Sequence, residues 1–120
     1  MTIRRIVPNV VSQDIEESRS FYSDFLGMDV RMDEPGFLML ASPGNPTAQM
    51  TVVSTVADSW DPQTARSTLA VEVADVDAAY AAAEGQGYRV VYPLTTEPWG
   101  IRRFLVQAPD GSVINVHSHA

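Results

Sequence analysis

Two stretches of this chain are built alike, and that duplication restricts the fold more than any other feature. The first runs Asp14-Ile15-Glu16-Glu17-Ser18-Arg19-Ser20-Phe21-Tyr22-Ser23-Asp24-Phe25-Leu26-Gly27. The second runs Asp75-Val76-Asp77-Ala78-Ala79-Tyr80-Ala81-Ala82-Ala83-Glu84-Gly85-Gln86-Gly87. Each opens on an aspartate, whose carboxylate accepts from the free amides of a helix's first turn. Each closes on a glycine, the residue that most readily takes the left-handed conformation ending a helix. Glu17, three residues past Asp14, completes a capping box. Ile15, Tyr22, Phe25 and Leu26 recur at helical spacing, as do Val76, Ala79, Tyr80 and Ala83.

Asp14 and Asp75 stand 61 residues apart, about half of a 120-residue chain. An alternating extended segment precedes each helix, at residues 6–11 and 68–73. Three short β-rich stretches come after each, at 28–32, 37–41 and 49–54, then at 88–92, 102–106 and 112–117. Turn signals separate them: Glu34-Pro35-Gly36, Pro43-Gly44-Asn45-Pro46, Glu97-Pro98-Trp99-Gly100 and Pro109-Asp110-Gly111. The organisation is therefore βαβββ twice, an α+β fold in one domain over residues 1–120. Module one covers about 1–56 and module two about 66–120, joined by the polar loop Asp58-Ser59-Trp60-Asp61-Pro62-Gln63. A ferredoxin-like arrangement would need helices after the strand pairs, and residues 27–54 offer no helical period.

Charge and composition remove several functions. Eight basic side chains against 15 acidic give −7, the wrong sign for a nucleic-acid partner, whose phosphates need a positive face. The acidic surplus is compatible with a cationic ligand and is read mainly as solubility. The absence of cysteine excludes disulfides, thiolate zinc sites and cysteine nucleophiles, and suits a cytoplasmic protein without ruling out export. Met1 to Ile6 has no long apolar run after its two arginines, so no signal peptide is expected. No stretch approaches the roughly 18 apolar residues of a membrane span.

Asp14…Ser18…Phe21-Tyr22…Leu26-Gly27, Val73-Ala74-Asp75-Val76-Asp77, Pro98-Trp99-Gly100 and Pro109-Asp110-Gly111, in this order, resemble the vicinal-oxygen-chelate superfamily. That superfamily includes glyoxalase I, bleomycin-resistance proteins, fosfomycin-modifying enzymes and extradiol dioxygenases. The resemblance implies an open, curved mixed sheet around a cavity, and a homodimer. Whether the barrel forms within one chain or across a dimer stays open. One departure is Ala108, where the family's last turn usually begins with Asp; Pro109, Asp110 and Gly111 keep the turn chemistry.

The resemblance also locates the metal ligands of metal-dependent relatives, seven residues before each capping aspartate and four past the glycine of the last turn. Here those positions hold Val7, Thr68 and Asn115. Valine cannot bind a metal, and neutral threonine and asparagine are weak ligands for a first-row ion. No metal and no other cofactor is therefore expected.

Strand alternation selects the cavity-facing side chains. Val7, Asn9 and Val11 should share a face with Thr68, Ala70 and Glu72, while Phe37 and Met39 alternate in the third strand. Asn115, His117 and His119 fall on one face of the last strand. His117 is either a rim histidine making one hydrogen bond or a proton-transfer group; His119, beside the C-terminus, is expected to be disordered. Trp60 and Trp99 lie in loops where an indole can stack on a flat ligand, though Trp99 would equally cap the barrel end or a dimer contact. Arg102 and Arg103 point to opposite faces, and Arg103 is favoured for the interior. Glu72 is a candidate general base, but is read first as the counter-charge of that arginine. The candidate ligand-binding set is thus Asn9, Phe37, Met39, Trp60, Thr68, Trp99, Arg103, Asn115 and His117, with Glu72 and His117 as the catalytic candidates.

Two functions stand in front of a third, a structural or regulatory interaction module whose cavity is vestigial. One is a metal-free protein sequestering an aromatic or cationic small molecule such as an antibiotic, in the manner of bleomycin-resistance proteins. The other is a lyase, isomerase or dioxygenase-like enzyme of the same fold.

Overall fold

The computed structural model describes residues 1–55 and 60–120. Asp58 and Ser59 of the linking loop lie outside the described residues, as does residue 56 at the end of module one. The chain divides into two compact units, Val7–Arg66, and Met1–Ile6 together with Ser67–Ala120. We refer to them as the N-terminal and C-terminal units.

β1 (Ile3–Ser12) opens the chain, followed by α1 (Ile15–Arg19), β2 (Asp29–Glu34), β3 (Phe37–Ser42) and β4 (Asn45–Ser54). A short 3-10 turn, Thr64–Arg66, precedes β5 (Leu69–Val73), α2 (Val76–Gly85), β6 (Val90–Thr96), β7 (Ile101–Gln107) and β8 (Val113–His119). Within the N-terminal unit the strand order is β2-β3-β4-β1; within the C-terminal unit it is β5-β8-β7-β6. β1 runs parallel to β4 and β5 parallel to β8, while the other neighbours pair antiparallel. Each unit is thus one βαβββ motif on a mixed sheet, as the duplicated helices require. The first six residues depart from the module boundary drawn on sequence and join the C-terminal unit. There Ala74 N–H donates to the Thr2 carbonyl at 3.1 Å.

Both helices start where the aspartates place them. Asp14 accepts from Glu17 N–H at 3.1 Å and Asp75 from Ala78 N–H at 3.0 Å. Their continuations differ. α2 is regular, but α1 passes into a π-helical stretch, Ser20–Phe25. The spacing from Asp14 to Gly27 is one residue longer than that from Asp75 to Gly87, and a π turn absorbs one extra residue without rotating the helix end beyond it.

Each helix covers one face of its sheet. Val76, Ala79 and Ala83 of α2 pack on Val73 and Phe104, with Tyr80 edge-on to the Phe104 ring at 5.0 Å. Ile15 and Tyr22 pack on Leu38, Leu40 and Val52. Several strand limits differ from the sequence reading, β1 already beginning at Ile3 and β2 running on to Glu34. β4 begins at Asn45, because Asn45 Oδ1 accepts from Thr47 and the bulge after Ala41 extends the pairing. β6 begins at Val90 and continues through Pro93, which the irregular register between Tyr92 and Thr95 accommodates. β8 extends to His119, which pairs with Ile101 rather than being disordered. No helix among the described residues is long and apolar enough to cross a membrane.

Candidate functional site

The sheet face that α2 leaves uncovered is where the C-terminal unit gathers its polar side chains. Register fixes the arrangement: Glu72 on β5 lies opposite His117 on β8, His117 opposite Arg103 on β7, and Arg103 opposite Thr95 on β6. One row nearer the other sheet end, Ala70, Asn115 and Leu105 are neighbours. Val71, Phe104 and Val116 alternate with these residues and face α2.

Arg103 is the centre of this face. It is 2% exposed, and its guanidinium donates to the Glu97 carboxylate at 2.5 Å. Two aromatic rings flank it: Cζ lies 5.6 Å from the Tyr92 centroid and 5.3 Å from that of Trp99. Tyr92 Oη donates to the same carboxylate at 3.2 Å. The β6–β7 turn sets this up, since Glu97 N–H donates to Ile101 and Gly100 N–H to Glu97, the positive φ at Gly100 closing the loop. Glu97 and Trp99 are thereby folded back over the same arginine. Trp99 remains 40% exposed.

Glu72 is partnered differently. Its carboxylate lies 3.1 Å from Arg5 Nε and 3.6 Å from His119 Nε2. The expected pairing of Glu72 with the interior arginine is therefore replaced by two others, Arg103–Glu97 and Arg5–Glu72. Arg102 points to the opposite face, binding Asp77 of α2 at 2.8 Å, and each holds the other in its charged form. His117 is buried, and desolvation pushes its pKa below the usual histidine value, Arg5 adding to this while Glu72 opposes it. At neutral pH its imidazole is uncharged. Asn115 is also buried, and its Oδ1 has no hydrogen-bond partner among the described residues.

The N-terminal unit carries the other sequence candidates on the face away from α1. Asn9 lies opposite Thr51, and Thr51 opposite Met39. Asn9 is used structurally: it accepts from Thr51 Oγ1 at 2.7 Å and donates to the Thr64 carbonyl at 2.9 Å. Thr64 Oγ1 in turn donates to the buried Asp61 carboxylate. Trp60 packs on Phe37, with ring centroids 5.1 Å apart, and its backbone N–H donates to the Pro35 carbonyl.

The candidates thus separate into two groups. Trp99, Arg103, Asn115 and His117 come together with Glu72 in one unit, and Asn9, Phe37, Met39 and Trp60 share the other. Thr68 joins neither; it is exposed at the entry to β5, its N–H bonded to the Val113 carbonyl. Sequence reasoning missed Arg5, Tyr92 and Glu97. The Glu-Pro-Trp-Gly turn was the available signal for Glu97, because a hairpin that short returns the chain onto the strand it left.

The three positions of the family's metal ligands do not fit a divalent ion. Val7 is a buried hydrocarbon, Thr68 an exposed hydroxyl and Asn115 a neutral carboxamide. Among the described residues no group of three or more His, Asp or Glu side chains is placed to hold a metal.

The family model for the Glyoxalase/Bleomycin resistance protein/Dioxygenase superfamily matches residues 2–116. No curated protein matches the chain. Among solved structures, a glyoxalase/bleomycin resistance protein/dioxygenase superfamily member from Vibrio splendidus 12B01 is similar at 22% identity and TM-score 0.69, over 98% of this chain and 99% of that one. Methylmalonyl-CoA epimerase from Mycobacterium tuberculosis is similar at 23% identity and TM-score 0.72, over 98% and 87%. An extradiol ring-cleaving dioxygenase from B. fuscum matches at 23% identity and TM-score 0.74, over 98% of this chain but 33% of that one. At such identities the likeness is one of fold alone.

Proposed function

This chain belongs to the glyoxalase/bleomycin resistance protein/dioxygenase superfamily, and from that premise we propose that it is a metal-free protein that sequesters a small planar compound, such as an aromatic antibiotic. The observation that carries this reading is the Trp99 indole, partly exposed above a buried guanidinium at the edge of a polar sheet face. Stacking on a ring contributes about 0.5–1.5 kcal/mol beyond the area it buries. Here the ring is already held by its hairpin and by Arg103, so little side-chain freedom remains to be lost on binding.

The same contact bears on the charge of the guest. Arg103 takes one face of the indole, and a second cation on the opposite face meets a ring whose quadrupole is already engaged. A neutral planar ligand therefore suits Trp99 better than a cation does, even though the net charge of −7 attracts cations at long range.

Trp60→Phe leaves Trp99 as the only indole, because the sequence holds two tryptophans. Its emission should quench saturably with neutral planar aromatics, and calorimetry on Trp99→Ala should show affinity for the same compounds weakened at least about tenfold. A flat emission across neutral, anionic and cationic aromatics would sink the reading.

One observation favours an enzyme instead. Glu72 and His117 are register neighbours, both are buried, and His117 is neutral and so able to accept a proton. A lyase or isomerase reaction by proton transfer would use this pair without a metal. If turnover is found, Glu72→Gln and His117→Asn must each lower kcat for that mechanism to stand.

A further inference from the structure

The C-terminal unit has a concavity on the α2 side of its sheet, and so on the opposite face from Arg103. Its volume is about 290 Å³ and its walls are almost wholly apolar. Ala79, Ala82 and Ala83 of α2 form one wall, Phe104 and Val116 another, and the exposed Met1 borders it.

The internal repeat accounts for the empty volume. Aligned on their capping aspartates, Ser18 corresponds to Ala79, Phe21 to Ala82 and Tyr22 to Ala83. The helix ends support the last pair independently. Met28 N–H donates to the Tyr22 carbonyl and Tyr88 N–H to the Ala83 carbonyl, both at 3.0 Å. In the N-terminal unit the Tyr22 ring packs on Leu38, Leu40 and Val52. In the C-terminal unit a methyl group occupies the equivalent place. Phe104, with Tyr80 edge-on against it, recovers part of the lost volume, and the cleft is what remains.

We propose that this cleft is a second ligand site, for a neutral aromatic molecule about the size of a phenol, seated where the other half of the repeat places its own Tyr22. The walls favour a neutral guest, because apart from the Gln86 and Gln107 amides at the border they offer nothing to compensate the desolvation of a charge. A benzene ring fits an apolar cavity of about 150 Å³, and this solvent-open cleft of about 290 Å³ has room for a substituted ring. A ring hydroxyl directed outward meets the amides of Gln86 and Gln107, which border the cleft. This site is independent of the Trp99 face and would stand if that reading failed.

The probe is p-cresol, the tyrosine side chain as a free molecule, titrated into protein carrying 13C-labelled alanine and methionine methyls. The Ala79, Ala82, Ala83 and Met1 methyls should shift together and saturably, with about millimolar affinity. Ala83→Phe, which supplies the missing ring from the chain itself, should weaken binding more than about tenfold. Ala82→Leu should do so from the same wall if the first variant does not fold. Trp99→Ala should titrate like the unmodified protein. The proposal is overturned if both alanine variants bind as before, if the alanine methyls do not move, or if Trp99→Ala abolishes their shifts.

Discussion

Without the Glu97 carboxylate, the Arg103 guanidinium would stay buried between two rings and lose an anionic partner. Removing one member of a buried ion pair typically costs about 3–5 kcal/mol, whereas replacing the whole pair by apolar groups is often neutral. Urea unfolding should therefore show Glu97→Ala losing about 3–5 kcal/mol, and Glu97→Leu with Arg103→Met losing clearly less. His117 sets a pH dependence of known sign. Burial lowers its folded pKa below the unfolded value of about 6.5. The unfolded chain then binds the proton first, so stability is fully present above about pH 6.5 and declines as pH falls towards the folded pKa. His117→Asn should flatten that slope between pH 7 and 5; an unchanged slope would assign it elsewhere. At this scale the sequence was partly legible. Alternation alone separates Arg103 from Arg102 and puts Glu72 and His117 on one face. Which carboxylate meets which arginine is not a local property: Arg5 reaches Glu72 from 67 residues away, and Glu97 reaches Arg103 through the shape of a turn.

The two helices are the best-written elements of the chain, since their caps and closing glycines are local signals. The π stretch was not read from the sequence, because the hydrophobic spacing reads as one continuous helix; its only trace there is the one-residue difference between the two helix lengths. That difference makes the helices unequal under deletion. Removing the exposed Asp24 lets the π stretch relax to α-helical geometry, with Tyr22 and Met28 keeping their places. Removing the exposed Ala81 from α2 has no such slack, and rotates Ala83 and the rest of that helix by about 100° out of the core. Denaturant melts should show the first deletion costing about 1 kcal/mol or less and the second about 3 kcal/mol or more. Equal losses would mean that the π stretch is required by packing rather than by the extra residue. Strand limits were harder to read, because β4 and β6 are extended by a bulge and a register irregularity that carry no period of their own.

At the scale of the whole molecule, the duplication divides the chemistry unevenly. Both units repeat the motif, but one sheet face holds the buried Arg103–Glu97 pair, the exposed indole and the neutral histidine. The other has its asparagine committed to Thr51 and Thr64 and its Trp60 packed on Phe37. The resemblance that implies the fold also implies the family's metal positions, and Val7, Thr68 and Asn115 supply no anionic or imidazole donor there. A bound ion stabilises the folded state by RT ln(1 + [L]/Kd), about 2.7 kcal/mol at a hundredfold excess over Kd. For a domain of this size that is on the order of 10 °C in Tm. Thermal unfolding in millimolar Mg2+, Mn2+ or Zn2+ should instead coincide with that in chelator to within about 1 °C, with His119→Ala as the control for chance binding by His117 and His119. A shift near 10 °C that survives that control would require a ligand set other than these three positions. It would move the weight from sequestration to catalysis, because a divalent ion beside Glu72 and His117 can polarise a substrate oxygen in a way that paired side chains cannot.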